Sequence, residues 1–142
     1  VKIYFDTSAL VTALVDQLPN HENALSCLAS ACRDHEAVTS THALAEIYAT
    51  LTALPVSRRI QPGEARAMIA DGLQKKLRIL PLSVRLYDRA IARVAGRGMS
   101  SGVIYDALHL EGAEVAGCRR LNTYNLGDFQ RLEPQGLDLV AP

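Results

Sequence analysis

Asp6, Glu46 and Asp106 are carboxylates in stretches that otherwise read as buried, and Asp128 follows shortly after a candidate strand. A carboxylate taken out of water is costly unless it is paired. Asp6 ends the apolar run Ile3-Tyr4-Phe5. Taken alone it reads equally as a helix cap, since an Asp before Thr7-Ser8 can accept from the first free backbone N–H groups. Glu46 shares a helical face with His42, Ala43, Ala49 and Thr50, apart from the bulky stripe of Leu44, Ile47, Tyr48 and Leu51. Small neighbours leave its carboxylate room to reach inward. Asp106 sits on a segment that is apolar nearly all round, and His109, one turn on, is a candidate partner for it. Asp128 also reads as a solvated cap.

If the fold gathers these acids at one edge, their repulsion decides what the site needs. Two unit charges about 5 Å apart at an effective dielectric near 20 repel by roughly 3 kcal/mol. Such a cluster calls for protons or a cation. Oxygen donors without thiolates or a His pair favour the hard ions Mg²⁺ or Mn²⁺. A metal–carboxylate site of this kind suits in-line hydrolysis of a phosphodiester.

The elements that must position these groups alternate. Residues 2–5 predict a strand feeding a helix capped at 6–8, and residues 21–34 predict a second helix. Residues 37–39 form a strand candidate, with Ser40 or Thr41 capping a helix that ends before Pro55. Pro62 at a first helical position predicts a helix over 62–76. Residues 79–82 predict a third strand, and a helix follows from Ser83 until Gly96 and Gly98 stop it. A helix over 103–116, a strand over 120–123, a short helix over 126–132 and a strand over 137–140 complete the chain. That order predicts one α/β domain over 1–142, with a central, mostly parallel sheet of four to five short strands flanked by helices on both faces. In such sheets functional groups gather beyond the carboxyl ends of the strands.

With the acids placed on these elements, the chain resembles a PIN domain, specifically the VapC-type ribonuclease toxins of bacterial toxin–antitoxin pairs. The likeness rests on I-Y-F-D-T-S-A-L at the start, A-L-A-E-I in the third helix, Y-D-A-L-H-L, and L-N-T-Y-N-L-G-D-F near the end, in that order. The resemblance implies metal-binding acids at Asp6, Glu46 and Asp106, and small hydroxyl positions at Ser8 and Thr123. Similar sequences carry the fourth acid either at the position of Asn125 or at that of Asp128, so the resemblance assigns it here to Asp128 and leaves Asn125 as a water or phosphate ligand. Asn122 is polar where the resemblance expects an apolar residue, as if the strand ended early. The resemblance further implies a Mg²⁺- or Mn²⁺-dependent endoribonuclease that cuts single-stranded segments of structured RNA, leaving a 5′-phosphate and a 3′-hydroxyl. It also implies a homodimer and a cognate antitoxin protein.

The formal net charge is zero, with 15 basic and 15 acidic residues, yet residues 58–97 hold ten basic residues against three acids. Arg85, Arg89 and Arg93 recur every fourth residue along one helix face, with no balancing acid stripe beside them, so RNA or an acidic surface is their expected partner. His42 and His109 read as packed or hydrogen-bonded inside the fold rather than as ligands. Cys27, Cys32 and Cys118 form neither an even set nor a C-x-x-C pair, which fits small core residues in a reducing cytoplasm. No apolar run approaches the roughly 18 to 20 residues of a membrane span, and residues 1–5 are too short for a secretion signal. A haloacid-dehalogenase-type phosphatase would need an Asp two residues after Asp6, where Ser8 stands, and no P-loop run exists. The remaining alternative is a catalytically idle PIN-like scaffold that binds RNA or protein. Three costly buried carboxylates speak against it.

Overall fold

Short, continuous β-prone runs such as Ile3-Tyr4-Phe5 give central strands that bury both faces, and the computed structural model describes all of residues 1–142. Five strands, β1 (Ile3–Phe5), β2 (Ala37–Ser40), β3 (Arg78–Leu80), β4 (Arg120–Asn122) and β5 (Asp138–Val140), pair in the order β3-β2-β1-β4-β5. Every pairing is parallel. The helices are α1 (Thr7–Leu14), α2 (His21–Arg33), α3 (Thr41–Ala53), α4 (Pro62–Ile69), α5 (Val84–Gly96), α6 (Val103–Val115) and α7 (Leu126–Arg131).

The period of two along β1 sends its side chains into two separate cores. Ile3 and Phe5 pack with α1, α2, α3 and α4, through residues such as Leu10, Leu28, Ile47, Leu51 and Ile69. Tyr4 points the other way, with Val38 and Leu121, against Ala90, Leu108, Leu110 and Phe129 of α5, α6 and α7. The sheet is thus covered on both faces, as expected for parallel strands joined by helical crossovers.

Strand order reverses at β1. The chain proceeds outward from β1 through β2 to β3, then returns to add β4 on the other side of β1. The crevice beyond the carboxyl ends of β1 and β4 is therefore the switch point at which open α/β sheets carry their ligands. Asp6 follows β1 directly, and Thr123 follows β4.

Two expectations need amendment and one is met. The helix expected over 62–76 is α-helical only to Ile69 and continues as a π-helical turn, Ala70–Gln74. A Cβ on Gly72 would lie 2.8 Å from Leu14 Cδ2, so the bare glycine lets this turn approach α1. Asn122 does mark an early end to β4, which stops one residue short of the expected 123. It is the last strand residue, fully buried, donating from Nδ2 to Cys27 Sγ at 3.1 Å. Finally, Tyr48 and two residues near the ends of α6, Tyr105 and Val115, are exposed rather than buried.

Candidate active site

Asp6 closes β1 and caps α1. Its side chain is 2% exposed, and Oδ1 accepts from the Ala9 backbone N–H at 2.9 Å and from Ser8 Oγ at 2.7 Å. Thr123 Oγ1 donates to Oδ2 at 2.5 Å. The cap and the site are one arrangement: the donors that satisfy the helix start also hold the carboxylate rigid. Ser8 and Thr123 are themselves fixed, since Ser8 Oγ accepts from the Tyr124 N–H and Thr123 Oγ1 from the Asn125 N–H. Burial pushes the Asp6 carboxyl above its ordinary range, against the pull of His109 and these three donors.

Glu46 reaches the same place from α3. Its Oε1 accepts from Thr7 Oγ1 at 2.9 Å and lies 2.6 Å from His109 Nε2. His109 is buried within α6, and its Nδ1 lies 2.8 Å from the Tyr4 hydroxyl. Burial raises the Tyr4 phenol far above its usual range; an ionised carboxylate can only accept, so His109 Nε2 donates to Glu46 while Nδ1 shares its hydrogen bond with the Tyr4 hydroxyl. Burial alone would raise Glu46, but the His109 hydrogen bond and charge, Thr7 and His42 outweigh it and hold the carboxyl below its ordinary range.

Asp106, in the first turn of α6, is half-buried. Burial raises its carboxyl to about 6; His109 opposes this, while Asp128, Asp6 and Glu46 add to it through their charge. The acids read from the sequence therefore share one electrostatic neighbourhood. His109, the sequence's candidate partner for Asp106, turns instead to Glu46, because α6 packs against both the sheet and α3 and sends that side chain inward.

A cleft of about 330 Å³ opens here, lined by Asp6, Ser8, Glu46, Asp106, His109 and Asn125, with Thr7, Val11, Thr12 and Thr50 between them. Asn125, exposed at the start of α7, lies on this cleft; Asp128, expected as a ligand, does not line it, its side chain being 47% exposed and 2.7 Å from Arg131 Nη2. No three His, Cys, Asp or Glu side chains converge closely enough to close around an ion as they stand. The donor chemistry nevertheless fits one: three carboxylates, hydroxyls and an amide are the oxygen set of a hard divalent cation, and burial, with the like charges adding to it, holds Asp106 protonated to unusually high pH.

The basic face of α5 is a correction. Arg93 is 9% exposed and bonds to Glu111, Glu114 and the backbone oxygens of Leu132 and Glu133. Arg89 Nε lies 3.1 Å from Glu111 Oε2, and Arg97 pairs with Glu133. The balancing acids exist, but they come from α6 and the segment after α7, where a local charge count does not look. Of the three arginines, Arg85 alone stays exposed without an ion pair.

Sequence reasoning missed the roles of Tyr4 and Thr7. Their signal was faint: one hydroxyl in an apolar strand, and one more between Asp6 and Ser8.

Comparison with known proteins follows the same lines. A family model described as PIN domain matches residues 3–133. The chain is 31% identical to Ribonuclease VapC40 of Mycobacterium tuberculosis over 116 residues, covering 82% of this chain and 81% of that protein. The crystal structure of Mycobacterium tuberculosis VapC20, a sarcin-ricin loop cleaving toxin, superposes with a TM-score of 0.77 at 21% identity, covering 99% of this chain and 100% of that one. VapBC2 from Rickettsia felis, bound to a DNA fragment from its promoter, gives a TM-score of 0.70 at 17% identity, covering 99% of each chain.

Proposed function

The chain belongs to the PIN-domain family, alongside the VapC ribonucleases, and from that premise we propose that it is a Mg²⁺- or Mn²⁺-dependent endoribonuclease acting as the toxin of a toxin–antitoxin pair. The observation that carries this reading is the meeting of Asp6, Glu46 and Asp106 on one cleft at the β1–β4 switch point. When bound, a divalent cation supplies an activated water and offsets charge on the leaving oxygen.

The chain's own groups divide the remaining work. Asp6, clamped by Ser8, Ala9 and Thr123, is the fixed ligand. Asp106 is the ligand that gains most, since a cation offsets the burial and the like charges that keep its proton on. Glu46 has Oε1 engaged by Thr7 and His109, which leaves Oε2 for the ion. Asn125 on the cleft wall suits a water or phosphate oxygen, and Asp128, with Arg131 beside it, acts on Asp106 through charge. Hydrolysis breaks the bond from phosphorus to the 3′ oxygen and leaves a 5′-phosphate and a 3′-hydroxyl on single-stranded segments of structured RNA.

A homodimer and a cognate antitoxin complete the proposal; the complex of VapBC2 supports the second. No helix is long and apolar enough to cross a membrane, and a cytoplasmic place of action accords with an RNA substrate.

Protein freed of antitoxin and incubated with total RNA should cleave it with Mg²⁺ or Mn²⁺ and not with EDTA. Asp6→Asn and Asp106→Asn should abolish cleavage with the circular dichroism spectrum intact. Cleavage persisting in EDTA and in both variants overturns the metal mechanism, and no cleavage with either metal favours the idle scaffold.

A further inference from the structure

The arginines that once looked free to hold RNA are largely engaged in ion pairs, and the cleft itself is lined with carboxylates that repel phosphate. A polyanion held at such a place needs a contact that does not depend on charge. One stands at the edge of the acids. The ring of Tyr105 lies on that of His42, with centroids 5.2 Å apart and planes at 13°. Tyr105 immediately precedes Asp106 on α6, and His42 stands one turn before Glu46 on α3, so the stack bridges the two helices that carry the acids. Tyr105 is 49% exposed.

The pair is backed from within. The His42 ring meets that of His109 edge-on at 6.1 Å, and His109 is anchored by Tyr4 and Glu46. His42 Nε2 is buried with no hydrogen-bond partner and lies 3.5 Å from Glu46 Oε1, so stacking on Tyr105 together with that charge contact holds the ring in place. A tyrosine braced on one side and open to water over half its surface is a platform for another flat ring.

We propose that Tyr105, braced by His42, stacks an unpaired base of the RNA substrate and so sets the adjoining phosphate against Asp106 and Glu46. This deepens the ribonuclease reading and rests on it. Stacking on an aromatic ring is tolerant of base identity, because every base has a π-face. Tyr105 therefore contributes grip and register, and His42 acts as its positioning residue.

The test uses single-stranded RNA of about ten nucleotides and mixed sequence, carrying 2-aminopurine at successive positions, titrated with the full chain in EDTA. Binding should quench the 2-aminopurine at one or two positions. Tyr105→Ala should weaken binding about fivefold to 100-fold and remove the quench, while Tyr105→Phe keeps both; in cleavage, KM should rise with little change in kcat. Melting curves should show both variants folded, since the ring is half in water. Wild-type protein that cleaves total RNA but quenches no position overturns the stacking and leaves the ribonuclease standing. A Tyr105→Ala variant that quenches like wild type also overturns it, and if its oligomeric mass changes, the ring belongs to a protein interface. Absence of cleavage by wild type with any metal sinks the underlying reading instead.

Discussion

His109 Nε2 lies 2.6 Å from Glu46 Oε1, and the other nitrogen of the same ring meets the Tyr4 hydroxyl at 2.8 Å. Three residues from β1, α6 and α3 thus form one buried line that ends on a carboxylate at the cleft. The line fixes the orientation of the imidazole and with it that of the carboxylate, the role outer-shell partners play at metal sites.

Replacing His109 by Leu should therefore lower Mn²⁺ affinity by about 10- to 100-fold, read by calorimetric titration. His109→Gln, which can still donate to Glu46, should recover part of the loss. Unchanged affinity in His109→Leu would show that Glu46 does not depend on the line.

Thr123→Val keeps the shape of the side chain and removes the hydrogen bond to Asp6 Oδ2. It should cost about 1.5–3 kcal/mol, as for bonds to charged groups, measured by urea unfolding. Metal affinity should fall with it, because Asp6 loses part of its clamp.

Asp106 gives a pH signature. Its carboxyl titrates near 6 in the folded chain, against 3.8 as the ordinary value. Between those values the folded state binds more protons than the unfolded, so stability falls as pH rises through that window. Wild type without added metal should lose stability from about pH 4 to pH 6 relative to Asp106→Asn, and the variant should melt higher at pH 7. Adding Mn²⁺ at pH 7 should raise the melting temperature of wild type more than that of the variant.

Arg85 and Arg93 should separate cleanly. Arg93→Ala leaves Glu111, 6% exposed, without its buried partner and should cost about 3–5 kcal/mol of stability. Arg85→Ala should leave the melting temperature unchanged, weaken RNA binding across sequences and reduce the salt slope by about 1.

The order of strands and helices was legible from residue patterns, because a period of two or of 3.6 and the cap and stop residues are local properties. The three core acids were legible for a related reason: a carboxylate in an apolar setting is an energetic anomaly visible without coordinates. Ser40 to Leu54 and Val103 to Ala116 emerged as helices within a residue or two of their expected bounds. What the chain's order could not reveal is which residues meet. His109 lies three positions from Asp106 yet bonds to Glu46, 63 positions away, and the acids that neutralise α5 lie on α6. The ranking of Asn125 and Asp128 likewise depended on how α7 leaves β4, which places the amide on the cleft and the acid beside Arg131. Helical spacing says which side chains share a face. Only packing says what that face is pressed against, and at a charged site that neighbour decides whether a group is a ligand, a brace or an ion pair.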